Sequence, residues 1–144
     1  MIMKMHSADC ELCNGDGGEV LHYAKQFRVV LVDDASYPGF CRVIWNDHVK
    51  EMTDLPVADR STLMAAVCKV ESIVRAVMQP EKINLASLGN MTPHLHWHVI
   101  PRYADDAHFP SPVWAEAQRR PSPSTLEQRQ ALLGALRSAI SGQF

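Results

Sequence analysis

His94, His96 and His98 occupy every second position of the segment PHLHWHVIP (93–101), alternating with Leu95, Trp97 and Val99. In an extended chain successive side chains point to opposite faces, so the three imidazoles share one face and the apolar residues the other. Same-face neighbours on a strand stand about 6.5–7 Å apart. The result is a row of imidazoles with a hydrophobic anchor behind it. Imidazole is the one side chain whose ordinary pKa lies near neutrality. Such a row can attack phosphorus, hold phosphate oxygens, donate protons or bind a metal. A single strand histidine is usually a hydrogen-bonded core or surface residue; three at strict period two, backed by an apolar face, fit that reading poorly.

A second constellation is CELC, which places Cys10 and Cys13 in a C-x-x-C pair. Two thiolates in a tight turn suit a tetrahedral zinc ion, which needs two further ligands. His48 lies in NDHVKEM, just after the apolar run FCRVIW. The competing readings are free thiols with no metal and a redox couple, and the βαβ setting of thioredoxin-like motifs is absent.

The elements that must position these groups follow from periodicity. EVLHY (19–23), FRVVLVD (27–33), FCRVIW (40–45), KINLASL (82–88) and HLHWHVI (94–100) read as strands. Leu63, Val67, Val70, Val74 and Val77 recur at three and four, which predicts a helix over 57–78. Asp54 is its candidate cap, Pro56 fits its first turn, and Pro80 lies just past its end. A second helix is expected over 124–140, with Ser124 and Glu127 forming a capping box and Leu126, Leu133, Leu136 and Ile140 its buried stripe. Phe109 and Trp114 should pack the proline-rich stretch between. Short links favour antiparallel pairing. The fold class is α+β: a mainly antiparallel five-stranded sheet with a long central helix and a C-terminal helix. Cys41 and Cys68 read as small buried hydrophobes, Trp45 and Trp97 as core, and His6, His22 and His108 as surface residues.

A chain of 144 residues suits one domain, here 1–144. The net charge is −2 and basic residues do not cluster, which argues against nucleic acid or an anionic membrane as partner. The N-terminus lacks the apolar stretch of a secretory signal, and no run approaches the ~20 apolar residues of a membrane span. A cytoplasmic protein with reduced thiols is expected.

HLHWHVI, continued by Pro101–Arg102, resembles the motif of the histidine triad (HIT) family, and the zinc-bearing bacterial-type branch in particular. The resemblance covers about residues 8–104. It implies an HIT-like domain that hydrolyses nucleotides at the α-phosphate through a covalent nucleotidyl-histidine. Candidate substrates carry a phosphoanhydride or phosphoramidate bond and include dinucleoside polyphosphates such as diadenosine tetraphosphate. His96 would be the nucleophile and His98 would steady the phosphate and leaving group. His94 and His98, flanking it, offer donors without magnesium. Many members carry a longer loop with Gln-Ser or Gln-Thr before the triad; this chain has GNMTP, leaving Asn90 or Thr92 to supply that polar contact. Asn90 also suits the turn after Gly89. An acidic residue near the end of the second strand binds ribose in the family, and Asp33 is the candidate. Cys10, Cys13, His48 and His94 fall on the zinc-ligand positions of zinc-bearing members and of galactose-1-phosphate uridylyltransferases, which implies a structural zinc and no organic cofactor. A homodimer is implied as well. Two rivals remain: a hydrolase whose three histidines hold a catalytic metal, and a non-catalytic nucleotide-binding or zinc-stabilised interaction module.

Overall fold

The computed structural model describes residues 6–144. Its five strands are β1 (Glu19–Tyr23), β2 (Phe27–Leu31), β3 (Cys41–Trp45), β4 (Lys82–Ala86) and β5 (His96–Arg102). They form one sheet in the order β1-β2-β3-β5-β4, and every neighbouring pair is antiparallel. The short helix α1 (Glu11–Asn14) precedes the sheet, and α2 (Val57–Met78) crosses between β3 and β4. Two helices, α3 (Pro123–Gln130) and α4 (Leu133–Gln143), end the chain.

Register assigns the two faces. Ile44 stands opposite His96, Arg42 opposite His98, Val30 opposite Arg42 and Arg28 opposite Ile44, so these residues share one face. Phe27, Val29, Leu31, Val43, Trp45 and Val99 share the other, where they form the main core with Leu63, Val67, Val70 and Val74 of α2 and Leu133, Leu136 and Ile140 of α4. Each fully buried Val or Leu contributes about 1.5–3 kcal/mol of apolar transfer. Helices α2 and α4 therefore clamp one side of the sheet, and the histidine side is covered by the N-terminal arm with Cys10 and Leu12, by the β2–β3 loop holding Tyr37 and Phe40, and by the later segment around Val113.

Several expectations are corrected in detail. Regular pairing of the triad strand begins at His96, because His94 N donates to Thr92 O in a turn and Leu95 bonds to Val49 O. The strand also runs through Pro101. Alternate residues from Leu95 turn their backbone groups towards β3; β3 pairing stops at Cys41–Val99, so the missing N–H of Pro101 interrupts no ladder bond. Asp54 closes the 3-10 turn Met52–Asp54 by accepting from Glu51 N, and Pro56 itself stands at the α2 N-cap. The C-terminal helix is two helices: Ser122 rather than Ser124 caps α3, accepting from Thr125 N with Pro123 in the first turn. Leu132 then bonds to Arg129 O three residues back, which breaks the α-helical ladder ahead of the buried Leu133. Cys68 is exposed, since α2 turns Val67 and Val70 to the core and leaves Cys68 outside. His22 is half-buried against Phe144, and His108 is half-buried under Tyr37.

Candidate active site and metal centre

His94 is fully buried and ties the two constellations together. Its Nε2 lies 2.6 Å from Trp45 O, a carbonyl that can only accept, so Nε2 carries the proton and Nδ1 keeps its lone pair. That Nδ1 stands 3.3 Å from Cys10 Sγ, 3.5 Å from Cys13 Sγ and 3.3 Å from His48 Nδ1, and Cys13 Sγ lies 3.4 Å from His48 Nδ1. All four ligand atoms lie within 4.8 Å of one another. Ligands at ~2.3 Å (sulfur) and ~2.0–2.1 Å (nitrogen) around a tetrahedral ion stand about 3.3–3.8 Å apart. Two thiols, two imidazoles and this spacing fit a divalent metal of the zinc type. Ser7 N donates to Cys13 Sγ at 3.3 Å, an outer contact that suits a thiolate. Burial also holds the His94 pKa below its ordinary value, against the Trp45 bond that raises it, so the ring is a neutral ligand.

The next imidazole is oriented by the same residue. His96 Nδ1 lies 2.6 Å from His94 O, so Nδ1 donates and Nε2 is left with a free lone pair. Burial lowers its pKa as well, with Arg42 adding to the effect, while the His94 carbonyl and Glu11 oppose it. His98 is pushed down to about 4 by burial first, then by His96 and Arg42. Both rings are thus neutral at pH 7. Their centroids are 4.9 Å apart at 84°, closer than the strand spacing because the rings lean together. Phe40 and Trp114 meet His98 edge-on at 5.6 and 5.0 Å.

Among the described residues three buried side-chain nitrogens lack a partner: Arg42 Nε, His98 Nδ1 and Trp97 Nε1. The first two belong to side chains directly opposite each other on the histidine face. Native proteins pair nearly all such groups, so these two nitrogens are available to a polar partner at this place. Spacing in the sequence does not single out Arg42; its meaning comes from the β3–β5 register.

The remaining candidates lie further out. Thr92 Oγ1 donates to Glu11 at 2.8 Å, which ties the loop before the triad to the N-terminal arm. Asn90 is exposed, one residue after Gly89 at φ 73°. Asp33 lines a cavity of about 420 Å³ with Gly18, Leu31, Gln130 and Arg137; no triad histidine lines it. The structure therefore brings Cys10, Cys13, His48 and His94 together, sets His96 and His98 beside them, and places Asp33 on a cavity that no triad histidine lines. The metal-ligand cluster includes neither His96 nor His98, so one ion shared by all three triad histidines finds no support in this geometry.

Behind the site, Asp106 is fully buried and accepts from Arg102 Nε at 2.7 Å, from Arg102 Nη2, from Tyr37 OH and from the backbone N–H groups of Tyr103, His108 and Phe109. Burial alone would raise its pKa; Arg102 and the three N–H groups hold it well below the usual carboxylate range. This knot fixes the segment that carries Trp114 over His98.

Comparison with known proteins agrees with this arrangement. A histidine triad protein from Marinobacter aquaeolei matches at TM-score 0.74 with 27% identity, covering 96% of this chain and 98% of that one. One from Bradyrhizobium japonicum matches at TM-score 0.71 with 28% identity, covering 87% and 92%. A Mycobacterium tuberculosis protein named AP-4-A phosphorylase is 32% identical over 78 residues, which is 50% of this chain and 40% of that protein. A Schizosaccharomyces pombe protein named bis(5'-nucleosyl)-tetraphosphatase (asymmetrical) is 25% identical over 108 residues, or 72% of this chain and 59% of its own length. The chain thus spans about two-fifths to three-fifths of these curated relatives. The HIT domain family model matches residues 17–105, and with the sheet, the triad and its neighbours in place, the chain belongs to the HIT family.

Proposed function

We propose that this protein is a nucleotide hydrolase that cleaves a phosphoanhydride or phosphoramidate at the α-phosphate through a nucleotidyl-His96 intermediate. The observation that carries the proposal is the 2.6 Å contact between His96 Nδ1 and His94 O, which leaves Nε2 as the free nucleophile. Nε2 attacks the α-phosphorus, the bond to the leaving oxygen or nitrogen breaks, and the leaving group takes a proton from solvent water, which is returned when the second water is deprotonated in the hydrolysis step. Water then attacks the phosphoramidate, releasing the nucleoside monophosphate and restoring the neutral ring. Dividing one displacement into two is the general gain of covalent catalysis. His98 sits beside the reacting centre with Nδ1 unpartnered and steadies phosphoryl oxygens as charge spreads over them. Dinucleoside polyphosphates such as diadenosine tetraphosphate are the substrates suggested by the names of the two curated relatives. Asn90 and Thr92 supply polar contacts at the rim.

Cys10, Cys13, His48 and His94 would hold a structural zinc, which would cross-link the N-terminal arm to β5; it enters no chemical step. The protein is a single domain over 1–144, acts as a homodimer and works in the cytoplasm. Mass spectrometry of protein quenched during turnover over a nucleotide panel tests the chemistry. A nucleoside monophosphate adduct on His96, absent in His96→Ala, is the expected result; turnover that survives His96→Ala would overturn it.

A further inference from the structure

Three arginines point from the central strands onto the histidine face, and they differ in how their guanidinium groups are used. Arg28 donates to Asp16 O, Leu12 O, Gly15 O and Asn46 Oδ1. Arg102 donates to Asp106, Asn84 Oδ1 and Ser111 O. Both are nearly saturated and act as structural ties. Arg42 makes one bond, Nη1 to Gly17 O at 3.1 Å, and its Nε is shielded with no partner.

Arg42 also has no carboxylate within 4.0 Å among the described residues. Glu11 is near enough to be felt, but its carboxylate accepts from Thr92. A half-buried cation with an orphan donor is unfavourable until something accepts from it. Gly17 has φ 82°, and a Cβ there would meet Leu12 and Ile44 within 2.8 Å, so the arm lies against the sheet at the place where its carbonyl meets Arg42.

We propose that Arg42 is the phosphate-binding cation of this site, donating through Nε and the free part of its guanidinium fork to oxygens of the nucleotide held against His96 and His98. The inference rests on the nucleotide reading above. A planar guanidinium matches two phosphate oxygens at once, which a lysine cannot do.

Isothermal titration of the full chain with AMP and with adenosine tests this, using wild type, Arg42→Met and Arg42→Lys with melting curves as a check of folding. Arg42→Met is expected to weaken AMP binding about 10- to 100-fold, the range of a charge-assisted hydrogen bond, and to leave adenosine within twofold. Arg42→Lys keeps the charge without the Nε donor and should fall between. Equal losses for AMP and adenosine, or none for either, would overturn the proposal. If Arg42→Met does not fold, Arg42→Lys decides: at least a threefold loss confined to AMP supports it, and unchanged AMP affinity overturns it. AMP binding that depends on Arg42 in a chain showing no turnover would remove the covalent mechanism and leave this assignment standing. A nucleotidyl-His96 adduct formed with AMP affinity indifferent to Arg42 would do the reverse. Wild type binding neither probe would overturn both.

Discussion

Replacing Asp106 by alanine should be among the most damaging single changes in the chain. The residue is fully buried, and its removal leaves Arg102, itself 2% exposed, without its counter-charge. Breaking a buried pair by removing one partner costs about 3–5 kcal/mol. For a chain of this size that corresponds to a fall in melting temperature of roughly 10–20 °C. Arg102→Met with Asp106→Ala removes the stranded charge but still leaves the N–H groups of Tyr103, His108 and Phe109 without their acceptor. The double variant should therefore recover part of the loss, and the shortfall measures the backbone bonds. The pH dependence has a definite sign. The folded-state pKa of Asp106 lies below its ordinary 3.8, so its contribution is present above about pH 4 and lost as the pH falls further. Wild type should lose stability below pH 4 more steeply than the alanine variant. Melting curves followed by tryptophan fluorescence report both the fold and the Trp114 segment. A single variant melting within 2 °C of wild type, with the same acid profile, would refute the reasoning.

Three further outcomes are expected. Chelation at pH 7 should raise amide exchange across residues 10–14, while β2, β3 and β5 stay protected; unchanged exchange with no metal in the native protein would exclude the structural zinc. The His98 ring, at about 4 instead of 6.5, gives stability that is full above pH 6.5 and lost as the pH falls towards 4, about 3 kcal/mol in all; His98→Gln should flatten the denaturation midpoint across that window, and a variant with the wild-type slope would contradict the assignment. Thiol reagents should label Cys68 rapidly and Cys41 only after unfolding, since burial pushes the Cys41 thiol up to about 12.

What the sequence disclosed and what it withheld follow one physical division. Alternation is a local property, so the triad, its apolar backing and the five strands were legible from spacing alone. The C-x-x-C pair was legible, but its union with His48 and His94, 81 residues from Cys13, rested on resemblance because spacing carries no information about which strands pair. Arg42 was hidden for the same reason: an arginine in an apolar strand reads as an edge residue until the register sets it opposite His98. Ser124 reads as the cap because Glu127 completes a capping box with it, but the helix starts two residues earlier, at Ser122, where Pro123 suits the first turn. Cys68 looked apolar, and only the rotation of α2 decides that it faces outward.

The sheet has two unlike sides. Regular helices cover one, and the other is roofed by a short arm and a proline-rich strap. Substitutions, insertions or deletions in that roof can reshape what the histidines meet without disturbing the packed interior, so ligand preference can drift during divergence at little expense to foldability. Relatives with the same triad and the same helical clamp should accordingly differ most in the chemistry they accept where their arms and straps differ.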